Sequence, residues 1–147
     1  MPVKPIPEGY HTLTPYLMVK GAAQFIDFIK KAFDAKEISR TTSDDGTIWH
    51  AEVKIGDSFL MLGEANADHP ATPIMFYMYV EDVDSAYKHA VNAGGIPLRE
   101  PQNEFYGDRS GGLKDNFGNQ WWIGTHIEEV PPEEMKRRED EWKKKKK

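Results

Sequence analysis

Residues 104–126 read EFYGDRSGGLKDNFGNQWWIGTH, a stretch with the pattern of two strands around a tight turn. Residues 106–114 lead in, residues 115–119 (Asp-Asn-Phe-Gly-Asn) turn, and residues 120–125 run back. Asn, Asp and Gly reach positive φ at low cost, so the cluster is turn chemistry. Trp121-Trp122-Ile123 has strand composition. The same layout stands earlier: Asp44-Asp45-Gly46, a strand over 47–55, a Gly56-Asp57 turn and a strand over 58–62. A hairpin present twice predicts a fold built twice.

The flanking segments repeat as well. Residues 11–20 (HTLTPYLMVK) read as a strand in which Pro15 marks an edge, a bulge or a strand start, because proline cannot donate to a ladder. Ala22, Phe25, Ile26, Ile29 and Phe33 then fall at helical spacing on one stripe. Residues 36–42 form a short strand before the first hairpin. After the Pro-rich, small-residue segment ANADHPATP (65–73) the pattern restarts. It gives a strand over 74–80, a helical stripe of Val83, Ala86, Tyr87 and Ala90 ending at Gly94-Gly95, a short strand over 96–99, and the second hairpin. An offset of 61 superposes Val19 on Val80, Ala22 on Val83, Ile29 on Ala90 and Gly46 on Gly107. One such unit leaves a sheet face uncovered, which predicts that the two share a core.

The bulk composition narrows the function. With 147 residues, 39% hydrophobic and 12% aromatic, the chain has the makings of a globular domain. No apolar run approaches 20 residues and no basic-then-apolar leader opens the sequence, so neither a membrane span nor a signal peptide is expected. The absence of cysteine excludes disulfides and thiolate chemistry and fits a cytoplasmic protein. The net charge of −5 divides unevenly: residues 131–147 carry +3 and the rest −8. An acidic body argues against nucleic acid as a partner. Pro131-Pro132-Glu133-Glu134 starts a polar helix running to about Trp142, followed by five lysines read as a solvated tail. Trp142 is the odd residue there, expected against the body or a second subunit. The expected organisation is an extended lead-in (1–10), a first module (11–66), a linker (67–73), a second module (74–127) and a charged, partly helical tail (128–147).

These residues resemble the vicinal oxygen chelate superfamily, and within it the PhnB-like, glyoxalase/bleomycin-resistance-like branch. TPYLMVKGAAQFIDFIKKAF (14–33), DGTIWHAEVKIGDSFLMLGE (45–64), YVEDVD (79–84), FYGDRSGGLKDNFGNQWWIGTH (105–126) and PPEEMKRR (131–138) carry the resemblance. It implies an α+β fold of two βαβββ modules forming an incompletely closed eight-stranded barrel with a concave cup, and a homodimer. It does not fix a reaction, because the superfamily hosts isomerases, epimerases, dioxygenases, transferases and binders.

Catalytic members hold a divalent metal in the cup through His, Glu or Gln. The resemblance carries those positions to Thr14, Met61, Met75 and Trp122, none of which suits such an ion, and their immediate neighbours are no better. The expectation is therefore no metal and no cofactor, with an apolar cup instead. Strand alternation puts Tyr16 with Thr14, Phe59 with Met61, Tyr77 and Tyr79 with Met75, and Gly124 with Trp122. Thr14, Tyr16, Phe59, Met61, Met75, Tyr77 and Trp122 are the candidate ligand-binding residues. A two-residue turn at Gly56-Asp57 pairs Ile55 with Ser58, Glu52 with Met61 and His50 with Gly63. His50 and Glu52 then face the cup as a candidate base and its partner, while Trp49, Ala51, Val53 and Ile55 face the helix. Asp108 and Arg109 are expected to pair with each other or to cap a loop.

The leading functional expectation is metal-independent binding of a small aromatic or apolar organic molecule. Two others stay open at this point. One is a divalent-metal-dependent glyoxalase-type lyase or isomerase using His11, His50, Glu52 or His126. The other is an interaction module that recruits a partner through its charged tail.

Overall fold

The structure, a computed structural model, describes residues 2–146; Met1 of the lead-in and Lys147 of the tail lie outside the described residues. Element order is β1 (Tyr16–Val19), α1 (Ala22–Phe33), β2 (Lys36–Thr42), β3 (Ile48–Ile55), β4 (Ser58–Glu64), β5 (Met75–Tyr79), α2 (Val83–Asn92), β6 (Ile96–Asn103), β7 (Asp108–Lys114), β8 (Gln120–His126) and α3 (Pro132–Lys145). The chain folds as two compact units, Met1–Ile74 and Met75–Lys147. Each carries a four-stranded mixed sheet. The strand orders, β1-β4-β3-β2 and β5-β8-β7-β6, are the same arrangement used twice. The first strand of each unit runs parallel to the last, and the other neighbours are antiparallel. The fold is thus α+β in two modules, and no strand pairing among the described residues closes a barrel.

In the N-terminal unit the stripe on α1 is buried completely at Ala22, Phe25, Ile26 and Ile29. It packs on β1, β3 and β4, whose inward residues Leu17, Val19, Ala51, Val53, Leu60 and Leu62 are all buried. Burial of each large aliphatic or aromatic side chain contributes about 1.5–3 kcal/mol, so this face holds the unit together. In the C-terminal unit Val83, Tyr87 and Ala90 of α2 are buried, as are the sheet residues Leu113, Trp121 and Ile123. Phe76 stacks on Trp121 with ring centroids 4.2 Å apart.

The strand predicted over 11–20 is shorter than expected. β1 begins at Tyr16, directly after Pro15, which resolves the proline as a strand start on an edge strand. Its carbonyl still accepts from the Met61 amide at 3.0 Å. β6 is longer than expected and irregular. It is also an edge strand, and register shifts on either side of Arg99 accommodate Pro97 and Pro101. The C-terminal helix runs to Lys145 rather than to Trp142. The Trp142 ring lies against Phe105 at 5.7 Å, and Arg138 binds both carboxylate oxygens of Glu128 and the Phe105 carbonyl.

Helix starts reveal how far the repeat extends. Gly21 precedes α1 and has no capping side chain of its own. The orphan amides of Gly21 and Ala22 instead donate to the two carboxylate oxygens of Glu64, at the end of β4, each at 2.9 Å. In the second unit the Val83 amide donates to the Thr125 hydroxyl of β8 at 2.9 Å, and Asp82 adds a conventional cap through the Ser85 amide. Glu64 and Thr125 stand 61 residues apart, the same offset as Ala22 and Val83. We expect Glu64→Ala to lower stability by about 1–2 kcal/mol in chemical denaturation, as loss of a cap does. Glu64→Gln should recover part of that loss, and a wild-type midpoint for Glu64→Ala would contradict the assignment.

Candidate functional site

Each sheet buries one face under its helix and leaves the other open. On the open face of the N-terminal unit, Tyr16 pairs with Met61 and Met61 with Glu52, while Ile55 pairs with Ser58, as the turn reading predicted. Phe59 lies two residues from Met61 on β4, and Met18 stands opposite Gly63. Thr14 lies in the loop before β1. This face is partly covered by the N-terminal lead-in, for which the sequence offered no contact. Tyr10 stacks on Phe59 with centroids 4.0 Å apart and planes 16° apart, and its hydroxyl donates to Glu52.

The His50–Glu52 pair takes a particular form. Burial, then the hydrogen bond to and charge of Glu52, push the Tyr10 hydroxyl up to about 12, so it stays a donor. The Tyr10 hydrogen bond is the largest influence on Glu52. With that of Ser39 and the charge of His50 it outweighs burial and holds Glu52 below the usual carboxylate range. Ser39 donates to Glu52 at 3.1 Å. His50 faces the Tyr16 hydroxyl through Nδ1 at 3.0 Å, and its Nε2 is 3.9 Å from Glu52. The two residues therefore share a face at ion-pair rather than hydrogen-bond distance, with Glu52 committed to Tyr10 and Ser39. That geometry suits polar recognition better than an oriented base.

Trp49 is a correction. It was expected to face the helix, but it is 68% exposed. Thr41 pairs with His50 and Thr42 with Ile48, so Trp49 is the extra residue of a β-bulge. β4 passes close to the bulge only because residue 63 is glycine: a Cβ there would lie 2.6 Å from the Trp49 carbonyl oxygen. At this end of the face opens a cavity of about 1260 Å³, lined by Tyr16, Met18, Ile48 and Trp49 among others. Residues 65–69, which span the expected end of the first module and the start of the linker, form part of its wall. An Asn66 side chain that accepts from the Asp68 and His69 amides at 2.9 Å folds this segment.

On the open face of the C-terminal unit, Met75, Tyr77 and Tyr79 of β5 are exposed, and Tyr77 pairs directly with Trp122. Two glycines let rings lie flat on the sheet. A Cβ at Gly112 would fall 2.5 Å from the Trp122 ring, and one at Gly124 would fall 2.5 Å from the Tyr77 hydroxyl. The Arg99 guanidinium sits 5.1 Å over Trp122, tied to the Ser110 carbonyl and hydroxyl.

Asp108 and Arg109 do not pair with each other, contrary to expectation. They are consecutive strand residues and so point to opposite faces. Arg109 reaches α2 and binds both carboxylate oxygens of Asp84 at 2.9 Å. Asp108 is 3% exposed. One of its oxygens accepts from the Tyr77 and Tyr79 hydroxyls, each at 2.8 Å, and the other contacts His126 Nδ1 at 2.9 Å. The outer His126 nitrogen, Nε2, meets Glu129 at 3.1 Å. Burial acts to raise Asp108, but the bonds from His126, Tyr77 and Tyr79 prevail and hold it below the carboxylate range. Hydrogen bonds to Asp108 and then Glu129 raise His126. Sequence reading missed this cluster.

The superfamily resemblance implies a divalent metal in its catalytic members, and the residues here do not fit one. Thr14, Met61, Met75 and Trp122 offer no imidazole or carboxylate. Among the described residues no group of three or more His, Cys, Asp or Glu side chains stands where it could hold an ion. No helix among them is long and apolar enough to cross a membrane.

Comparison with known proteins agrees with this architecture. An uncharacterized protein of Mycobacterium bovis is 35% identical over 137 residues, covering 84% of this chain and 88% of that protein. Its counterpart in Mycobacterium tuberculosis strain H37Rv matches equally, over 79% of its length. Among solved structures, TioX from Micromonospora sp. ML1 superposes with a TM-score of 0.69 at 20% identity, over 80% of this chain and 99% of that one. TnmS3, an antibiotic binding protein from Streptomyces sp. CB03234, gives 0.65 at 18% identity over 79% and 95%. A PhnB protein from Bacillus cereus gives 0.63 at 22% identity over 78% and 99%. These likenesses establish the fold. The family described as Glyoxalase/Bleomycin resistance protein/Dioxygenase superfamily matches residues 10–123, and the chain belongs to that superfamily.

Proposed function

We propose that this protein binds a small, flat organic molecule without the help of a metal. The observation that carries the reading is the substitution of Thr14, Met61, Met75 and Trp122 for ion-binding side chains, on sheet faces that present aromatic and thioether surface. Aromatic rings lying flat offer stacking area, and methionine adapts its shape to a ligand. Candidate contacts on the open face of the N-terminal unit are Tyr16, Phe59 and Met61, with His50 and Glu52 as polar partners; the open face of the C-terminal unit separately offers Met75, Tyr77 and Trp122. The fold likeness to an antibiotic binding protein supports a binding role for such a surface.

The test is calorimetric titration of chelator-treated protein with planar aromatic ligands, such as acridines and anthraquinones. We expect saturable binding unchanged by added Zn²⁺, Ni²⁺ or Mg²⁺, weakened about tenfold in Trp122→Ala or Met61→Ala. Binding that appears only with a divalent metal, or metal-dependent turnover of a hemithioacetal, would overturn the proposal in favour of a glyoxalase-type enzyme.

A further inference from the structure

The cavity of the N-terminal unit combines an exposed indole with a wall of one charge. Trp49 has no ring partner among the described residues and stands on a bulge that turns it away from the helix. The sequence commits Gly63 to that bulge, since any side chain there would strike the Trp49 carbonyl. Apolar residues bury when they can, so an indole held in the open by a backbone irregularity is positioned for contact. Tyr16, Met18 and Ile48 continue the apolar wall beside it.

The charge of the lining is one-sided. Asp44, Asp45, Glu64 and Asp68 contribute to it, and it holds no lysine or arginine. Two of these carboxylates have structural duties: Glu64 caps α1, and Asp45 accepts from the Ser43 hydroxyl and the Thr47 amide, which hold it at about 2. The carboxylates of Asp44 and Asp68 have no hydrogen-bond or ion-pair partner among the described residues. An open indole face beside unpaired carboxylates is complementary to a flat cation, which gains from the ring quadrupole and from charge pairing at once. An anionic ligand of the same shape meets repulsion from both.

We infer that this cavity selects planar organic cations, such as protonated aromatic amines, over neutral or anionic molecules of similar shape. The inference rests on the proposed binding function and adds a charge preference at this cavity, which shares Tyr16 with the contacts named above.

The test titrates the full chain with 9-aminoacridine, a cation at neutral pH, and with anthracene-9-carboxylate, an anion of the same outline. We expect the cation to bind at least tenfold more tightly at low salt, with the difference narrowing as salt is raised. Trp49→Ala should weaken the cation about tenfold, and the double variant Asp44→Asn, Asp68→Asn should bring the two probes close to parity. These residues are exposed or half-buried, and a circular dichroism spectrum identical to wild type establishes that the variants are folded. Equal affinity for both probes, or a cation affinity indifferent to Trp49, would overturn this inference while leaving the binding function intact. Failure of both probes to bind would overturn the two together.

Discussion

Asp115→Ala is expected to be the most destabilising single substitution outside the apolar core, costing about 3–5 kcal/mol in denaturant unfolding. Its carboxylate organises the β7–β8 turn from the inside. One oxygen accepts from the Phe117 and Asn119 amides at 2.8 and 3.0 Å; the other accepts from the Asn119 side-chain amide at 3.1 Å and the Trp121 indole at 2.9 Å. Asp115, Asn119 and Trp121 are all at most 3% exposed. Alanine removes four acceptor contacts at once and offers the donors no water in exchange, which is the expensive way to lose a hydrogen bond. It also loosens the ring that packs on Phe76. At about 2–4 °C per kcal/mol for a chain of this size, a thermal midpoint about 10 °C lower is expected. Asp115→Asn keeps an acceptor and should fall between wild type and alanine. A midpoint for Asp115→Ala within 2 °C of wild type, roughly half a kcal/mol, would show that the turn forms without this carboxylate.

That turn was legible in the sequence because its chemistry is local. Asp, Asn and Gly within five residues define a hairpin, and Gly118 does adopt φ 92. The helical stripes were legible for the same reason, since a period of 3.6 is written in consecutive residues. So was the register at Gly56-Asp57, where a two-residue turn fixes the pairs from Ile55–Ser58 to Ala51–Leu62, though the expected pairing of His50 with Gly63 is not among them. What escaped was whatever depended on distant residues meeting. The lead-in has no periodicity, and nothing near Tyr10 announces Phe59, 49 positions away in the chain. The Trp49 bulge arises from pairing with Thr41 and Thr42, and β3 taken alone alternates regularly. Asp108 of β7 gathers Tyr77 and Tyr79 from β5 and His126 from β8, so no window of sequence contains the cluster. One long-range feature was within reach: the 61-residue offset that aligned the helices also aligns Glu64 with Thr125, the two tertiary caps.

The Asp108 cluster makes stability depend on pH in a way that identifies its members. Asp108 is depressed in the folded protein, so its contribution is complete above the unfolded carboxylate value of about 3.9 and fades as pH falls through the folded value. His126 is raised, so its contribution is complete below the unfolded imidazole value of about 6.5 and fades as pH rises through the folded value. Both operate together between about pH 4 and 6.5. Asp108→Ala leaves two tyrosine hydroxyls and an imidazolium facing an empty acceptor position, and we expect a loss of about 3 kcal/mol in that window. As pH rises through the raised folded value His126 loses its charge, and the loss should shrink toward the share of the tyrosine bonds. As pH falls through the depressed folded value the wild-type carboxylate takes up its proton, and the gap should narrow again. His126→Gln separates the two limbs: it should abolish the change between pH 6 and 9 while leaving the acidic limb in place. Urea unfolding of wild type and both variants at pH 2.5, 5.5 and 9 measures this directly. A gap between wild type and Asp108→Ala that stays constant across the three pH values would mean that the tyrosines alone hold Asp108 and that His126 adds no charge pairing. A gap that grows toward pH 9 would contradict the raised histidine.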